Sequence, residues 1–477
     1  MRAFVPLLLG WSACQVTPAI PEDPDAGSDP ALLDLPDGED DAEADSRAAL
    51  SPFELAAEEF DVPVELLLAV SQVETSMQEV VGEEEFPGQP KRLGVMGLSE
   101  AKLERAATLA GLDPDAVRQV RRHQIAASAA LLSWWAEEAQ IDRSDLSAWA
   151  PVVARWSDIE DPDAQAHYVW DEVYRALRKG VSAEGIEIAG QRVTPDFPAP
   201  AERLDVAGAQ RSYAVWRPSP NINSRPSGTA GQVQAVVIHT CEGSYSGCWS
   251  WLVNSSSGVS AHYVVNSDGS EVSQLVREET RAWHAGVSYD CTRNGNELCS
   301  LSGRSSNDFT VGVEHAGYAS QTSWSSGLIS KSVQLVADIT ADHNIPVDSY
   351  HIVAHGTLDP YRRVDPGPNW PWTSYLADIR ARRGLSGGGS SGGSSGGSGG
   401  SGGSAPSASP IIIDSNNSYN DVAKGYIAVS SSWTSSASVR GFYHTGYWWR
   451  TAGTTEDAAQ FWFYTPTPTC MAADAWW

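Results

Sequence analysis

Three residues far apart in the chain read as one site, and any fold this sequence adopts has to bring them together. His239 closes the apolar run Val236-Val237-Ile238, and His355 closes a second, Ile352-Val353-Ala354. Each run reads as a short buried strand that delivers its terminal side chain to a cleft. Asp365 follows in Arg363-Val364-Asp365-Pro366-Gly367, where proline and glycine hold a carboxylate on a tight corner. Two imidazoles and one carboxylate are the ligand set of a catalytic zinc, which keeps a fourth position open for water. A structural zinc site would close that position, usually with cysteine. Ligand residues alone are weak evidence, because a single histidine after a strand is more often a satisfied core residue.

The neighbouring words strengthen the case. Ala261-His262-Tyr263-Val264-Val265 runs into Asp268-Gly269, a strand and then a turn. Ala282-Trp283-His284-Ala285-Gly286, Val311-Gly312-Val313-Glu314-His315 and Asp365-Pro366-Gly367-Pro368 follow in that order. Over about Val233 to Ile379 the set resembles the zinc-dependent N-acetylmuramoyl-L-alanine amidases, the family that also contains the peptidoglycan recognition proteins. The resemblance implies a central α/β domain, a mixed sheet flanked by helices, with Zn2+ held by His239, His355 and Asp365 in a groove that admits a glycan-linked peptide. It implies hydrolysis of the amide joining N-acetylmuramic acid to the L-alanine of the stem peptide.

Glu314 matches the family's acidic residue beside the metal. As a catalyst it would take a proton from water and pass it to the leaving nitrogen; as a supporting group it would orient a ligand histidine. Many members carry lysine two residues before the third ligand, steadying the tetrahedral intermediate. Here that residue is Arg363, which keeps the charge in a planar fork or else forms a surface ion pair. Ala261 stands where some members place tyrosine. Trp283 and His284 are the substrate contacts the family pattern suggests, the alternative being a histidine buried beside Trp283. His262 and His315 read as structural. The full ligand set argues against the non-catalytic recognition branch, in which a ligand is typically replaced.

Cysteine usage indicates an oxidising compartment. Cys241 and Cys248 bracket a short loop after the first ligand, and Cys291 and Cys299 bracket another. Two local disulfides are the simplest of three connectivities, with free thiols or a second metal site as alternatives. Residues 1–13 combine Met1-Arg2, an apolar core and small residues before Cys14, which resembles a bacterial lipoprotein signal with Cys14 as the acylated residue. That places the protein at the outer membrane or in the periplasm, with plain secretion as the alternative. Contact with a membrane is expected only through the lipid on Cys14. Residues 14–50 are rich in acidic residues, proline and alanine and read as a disordered tether. The formal net charge of −28 excludes a nucleic-acid partner. The expected partner is peptidoglycan, and the expected state a monomer.

The fold class is therefore multidomain. Residues 51–180 read as α-helical, with Ser51-Pro52-Phe53-Glu54 as a capping box, a helix beginning at Pro63 and a long one from Asp113-Pro114 to Trp135. Leu68-Ala69-Val70-Ser71-Gln72-Val73-Glu74-Thr75 and Gly94-Val95-Met96-Gly97-Leu98 resemble the lysozyme-like, lytic transglycosylase-type domain. Glu74 is the candidate acid for glycan cleavage; the alternative is a helical scaffold without turnover, since Ser99-Glu100 and Ala154-Arg155-Trp156-Ser157 depart from the family words. Residues 181–232 read as a Pro-rich connector, 233–384 as the amidase domain and 385–409 as a Gly/Ser linker. Residues 410–477 resemble an incomplete golvesin-like β-sandwich. Two rivals to an amidase remain: a bifunctional hydrolase that also uses Glu74, and a peptidoglycan-binding protein without activity.

Overall fold

The computed structural model describes residues 50–86, 88–183, 185–201 and 208–385, with the backbone of four short strands between 425 and 463. The apolar runs of the sequence become neighbours in one six-stranded sheet. Its strands are β1 (Val215–Trp216), β2 (Ala235–Ile238), β3 (Tyr263–Val265), β4 (Val272–Gln274), β5 (Thr310–His315) and β6 (Ile352–Ala354). The spatial order is β6-β2-β5-β3-β4-β1. Strands β6, β2, β5 and β3 run parallel, β4 is antiparallel to β3, and β1 is parallel to β4, which makes the sheet mixed.

Both β2 and β5 are interior strands with every residue buried. They are covered on both faces, so they read as unbroken apolar runs rather than as alternating ones. Val236 and Ile238 pack into one cluster with Leu335, Ile339 and Ile379 of the helices Ser326–Asp342 and Trp372–Arg382. Val237 joins a different cluster with Tyr289, Phe309 and Val353. The register pairs Ile238 with Val313 on one side and with Ala354 on the other. His239 and His355 therefore leave the sheet at the same end, beside Glu314 near the end of β5.

The stretch read as a connector is structured at both ends. A hairpin pairs Gly180–Ala183 with Ile186–Ala189. At the other end, Tyr213 donates to Asp338 at 2.7 Å and Val215-Trp216 forms the outer edge of the sheet. The sheet thus begins before residue 233, because an edge strand needs only two ladder-forming residues and leaves little trace in a sequence.

Residues 52–179 are helical apart from short connections and the strand pair Arg92–Leu93/Leu98–Ser99. Ser51 Oγ accepts from the Glu54 N–H at 3.2 Å, and the Glu54 carboxylate accepts from the Ser51 N–H at 2.9 Å, closing the expected capping box. The long helix expected from Pro114 is in fact two, Pro114–Gln119 and Arg121–Ala139. Val120 separates them at φ −116°, ψ 113°, an extended conformation that a β-branched residue adopts readily. Its N–H donates to Ala116 while its carbonyl accepts from His123 and Gln124, so one residue caps both helices and the periodicity hides the break.

The helical layer and the sheet share one core. Tyr245, Cys248, Trp249 and Leu252 of the helix Tyr245–Val253 pack in the same cluster as Leu66, Val70, Tyr168 and Val173. Each such side chain contributes about 1.5–3 kcal/mol on burial. Polar bonds register the contact: His167 Nδ1 meets Ser246 Oγ at 2.9 Å, and its Nε2 meets Glu271 at 3.3 Å. Burial pulls the His167 imidazole down, but Glu172 and Glu271 outweigh it and hold its pKa up to about 9. A raised folded-state pKa stabilises fully below the ordinary value near 6.5 and fades as pH climbs through about 9. The unfolding midpoint should therefore fall by several degrees between pH 6.5 and 9.5, and calorimetry on His167→Gln should show that slope flattened.

Past residue 385, Gly425–Ala428 pairs antiparallel with Gln460–Phe463, and Thr434–Ser436 with Tyr447–Trp449. The signal segment, Cys14, the acidic tether, the Gly/Ser linker, Ile411–Asp414, Trp433 and residues 470–477 lie outside the described residues. Among those described, no helix is long and apolar enough to cross a membrane.

Candidate metal centre and active site

The three residues anticipated as ligands converge at the carboxyl ends of the parallel strands, where open α/β sheets hold their ligands. His239 follows β2 and His355 follows β6. Asp365 reaches them from a corner tied back by a Gly356 N–H to Asp365 C=O bond of 3.0 Å. Gly367 in that corner has φ +87°, and a Cβ there would fall 1.9 Å from the Ala319 carbonyl oxygen, so no other residue fits. His239 Nδ1 lies 3.0 Å from His355 Nδ1 and 3.1 Å from Asp365 Oδ2, and His355 Nδ1 lies 3.2 Å from that same oxygen. Donors at corners of a tetrahedron with 2.0–2.1 Å bonds to zinc sit roughly 3.3 Å apart. The observed spacing therefore suits a small divalent cation.

The tautomers follow from the hydrogen bonds behind the two imidazoles. Thr310 Oγ1 donates to the Ser306 carbonyl at 2.8 Å and so accepts from His284 Nε2 at 3.1 Å. His284 Nδ1 is then the acceptor for His239 Nε2–H at 3.0 Å, which leaves the His239 Nδ1 lone pair facing the site. His355 Nε2–H donates to the Ala285 carbonyl at 3.0 Å, turning its own Nδ1 the same way. Burial, reinforced by His355, holds His239 down at about 4, so it is neutral and ready to ligate. Burial also disfavours charge on His355, but Asp365 and Glu85 hold its pKa up to about 10, and a divalent ion would take that proton's place.

This arrangement corrects the reading of His284 as a substrate contact. It is 4% exposed with both nitrogens committed, and it braces His239 from behind. Room for it comes from Gly312, where a Cβ would lie 2.4 Å from the imidazole. Trp283 is half-buried and donates from Nε1 to Asn223 at 3.0 Å. His262 and His315 are fully buried and hydrogen-bonded to backbone, His262 to Gly312 N and His315 to the His239 carbonyl.

Glu314 is fully buried in β5, with Oε1 3.9 Å from His239 Nδ1. Neither of its oxygens has a hydrogen-bond partner among the described residues. Burial, with the Glu85 and Asp365 charges nearby, pushes its pKa well up. An orphaned buried carboxylate is expensive; beside two histidines and an aspartate it fits a centre built around a cation.

Glu85 is not among the residues that the sequence singles out. It comes from the helical layer, is 2% exposed, and joins His239, His355 and Asp365 in a group whose ligand atoms all lie within 4.8 Å of one another. Arg363 spends its guanidinium on this segment, with Nη1 3.1 Å from both the Glu84 carbonyl and Glu85 Oε2. Nothing in Glu83-Glu84-Glu85 distinguishes it from a solvated acidic run, so no sequence signal could have found it.

Glu74 lies apart from this cluster, at the end of the helix Val64–Thr75, and is 1% exposed. Tyr168 donates to its Oε1 at 2.6 Å, and Arg92 Nη1 stands 3.6 Å from Oε2. Gly97 passes so close that a Cβ there would lie 2.8 Å from the Glu74 Cβ. Burial raises its pKa, as a general acid would need, but Arg92 and Tyr168 oppose the shift and the carboxyl has no solvent-facing side.

Both anticipated disulfides are present, Cys241–Cys248 and Cys291–Cys299, across Cα separations of 5.5 and 5.0 Å. Loops this short are worth about 2.5 kcal/mol each in restricted unfolded-state freedom. The first fastens the segment that follows His239 to the helix Tyr245–Val253.

A family profile described as N-acetylmuramoyl-L-alanine amidase matches residues 229–368. N-acetylmuramoyl-L-alanine amidase A of Achromobacter lyticus is 32% identical over 180 residues, 34% of this chain and 90% of that protein. The 1,6-anhydro-N-acetylmuramyl-L-alanine amidase AmpD of Haemophilus influenzae is 31% identical over 122 residues, 26% of this chain and 59% of that protein. The crystal structure of a selenomethionine AmpD derivative aligns at 25% identity with a TM-score of 0.29, covering 35% of this chain and 95% of that one.

Proposed function

The chain belongs to the N-acetylmuramoyl-L-alanine amidase family and is a peptidoglycan amidase, and from that premise we propose that His239, His355 and Asp365 hold a zinc ion at which the amide between N-acetylmuramic acid and L-alanine is hydrolysed. The observation that carries this reading is the convergence of two imidazole Nδ1 atoms and one carboxylate oxygen within 3.2 Å, at the carboxyl ends of adjacent parallel strands. When bound, the ion would supply Lewis acidity, polarising the scissile carbonyl and making a water acidic enough to attack near neutral pH. Glu314 takes that water's proton on a carboxylate oxygen and returns it to the amide nitrogen as the bond breaks. Its orphaned oxygens and its position beside His239 support that role. His284 keeps the Nδ1 of His239 directed at the site, and Arg363, once released from Glu85, offers the developing oxyanion a positive charge.

The two disulfides support export, with the lipid on Cys14 as the proposed attachment. Glu74, sealed by Tyr168 and Arg92, is proposed as a structural group of a lysozyme-like scaffold. Digestion of purified peptidoglycan with and without chelator, products read by mass, tests both readings. Stem peptides beginning in L-alanine, lost with chelator and restored by zinc, are the expected result. Anhydro-muramyl products that survive chelation and vanish in Glu74→Gln would reveal a second active site. Binding with no products would overturn the amidase assignment.

A further inference from the structure

We propose that Glu85 is a fourth protein ligand to the metal, supplied by the helical layer, and that it keeps the enzyme at low basal turnover, latent in that sense until the segment Gln78–Glu85 leaves the cleft. The inference rests on the zinc reading above. Catalytic zinc sites present three protein ligands and keep one position open, whereas four protein ligands close the sphere. Here Glu85 would close the sphere of an ion held by His239, His355 and Asp365. Glu85 Oε1 has no hydrogen-bond donor among the described residues, lies 3.4 Å from His355 Nδ1, and belongs to the group whose ligand atoms are all within 4.8 Å of one another. Its second oxygen is held by Arg363 at 3.1 Å, so the carboxylate presents a single oxygen to the site.

The rest of the segment behaves as a strap across the cleft. Gln78 Oε1 accepts from the Thr322 and Ser323 N–H groups and from Thr322 Oγ1, and its amide donates to the Ser323 carbonyl. Val81 N–H donates to Ser320 Oγ at 2.9 Å, and Glu83 N–H to Glu242 Oε2 at 3.0 Å. Phe86, 1% exposed in the shared core, anchors the end next to Glu85. What remains open beside the ligands is a cleft of about 180 Å³ lined by Glu83, Glu85, Glu242, Tyr361, Arg363 and Asp365. Small-molecule sites commonly span about 300–1,000 Å³, and a muramyl peptide needs at least that. The same movement that withdraws Glu85 frees Arg363 and opens the cleft, so one displacement completes the catalytic set.

The test compares the full-length chain with Glu85→Gln and Glu85→Ala, and with Gln78→Ala, which loosens the strap without touching the site. Cobalt-substituted protein reports coordination by its visible absorption, chelator competition reports zinc affinity, and a soluble muramyl tripeptide reports turnover. Both Glu85 variants are expected to change the cobalt spectrum, lower zinc affinity at least about tenfold and raise turnover at saturating zinc by tenfold or more. Gln78→Ala is expected to raise turnover with a smaller spectral change. An unchanged cobalt spectrum and unchanged zinc affinity in both Glu85 variants would overturn the ligand assignment while leaving the amidase intact. Turnover in the Glu85 variants no higher than in the parent would overturn latency. A parent chain that takes up neither zinc nor cobalt would sink the metal reading itself, and this proposal with it.

Discussion

Glu314→Gln should lower turnover on peptidoglycan by roughly 10²- to 10⁴-fold while the protein keeps one metal ion per chain. Glutamine matches the shape of a side chain that is fully buried in the interior strand β5, so the sheet has no reason to rearrange. It cannot accept a proton, and both oxygens of Glu314 are free of competing bonds, which leaves proton transfer as the role removed. If Glu314 only oriented His239, the change would appear instead as a 10- to 100-fold loss of metal affinity, with turnover largely restored at saturating zinc. Steady-state rates measured alongside elemental analysis separate the two.

The second large effect is expected from His355→Ala. It removes one of the three converging donors and with it the ligand oriented by the Ala285 carbonyl. Activity should fall below detection and metal content to a small fraction of one ion per chain. Stability should fall with it. An ion present at about a thousand times its dissociation constant stabilises the folded state by about 4 kcal/mol. For a unit of this size, that corresponds to a melting temperature lower by roughly 6 °C. Chelating the parent should reproduce most of this shift, and His355→Ala should melt at the same temperature with or without chelator. A variant that retains a full equivalent of zinc would show that His355 is not a ligand.

Much of the centre is legible in the order of the residues alone, and particular positions show why. His239 and His355 stand at the ends of runs whose apolar character follows from being covered on both faces, so a local pattern marks both the strand and the end that carries the ligand. The corner at Asp365 announces itself through Pro366 and Gly367, and Gly367 is required by the close approach of Ala319. The capping box at Ser51 and the two disulfides are legible for the same reason, each being formed by groups close in the chain. The break at Val120 is not, because its hydrogen bonds to residues before and after keep the helical period running through the interruption.

The sequence by itself determined the strands of the sheet's interior, the three converging side chains and the acid beside them, because strand burial and turn geometry are written over a handful of consecutive residues. Only the tertiary structure decided which groups surround those ligands. His284 braces His239 from 45 positions away, and Glu85 meets Arg363 across 278. An acidic triplet in a loop and a histidine beside a tryptophan carry no local mark of burial. Their environment is created when the helical layer and the sheet close around one core, and that closure determines whether a carboxylate faces water or the buried imidazoles.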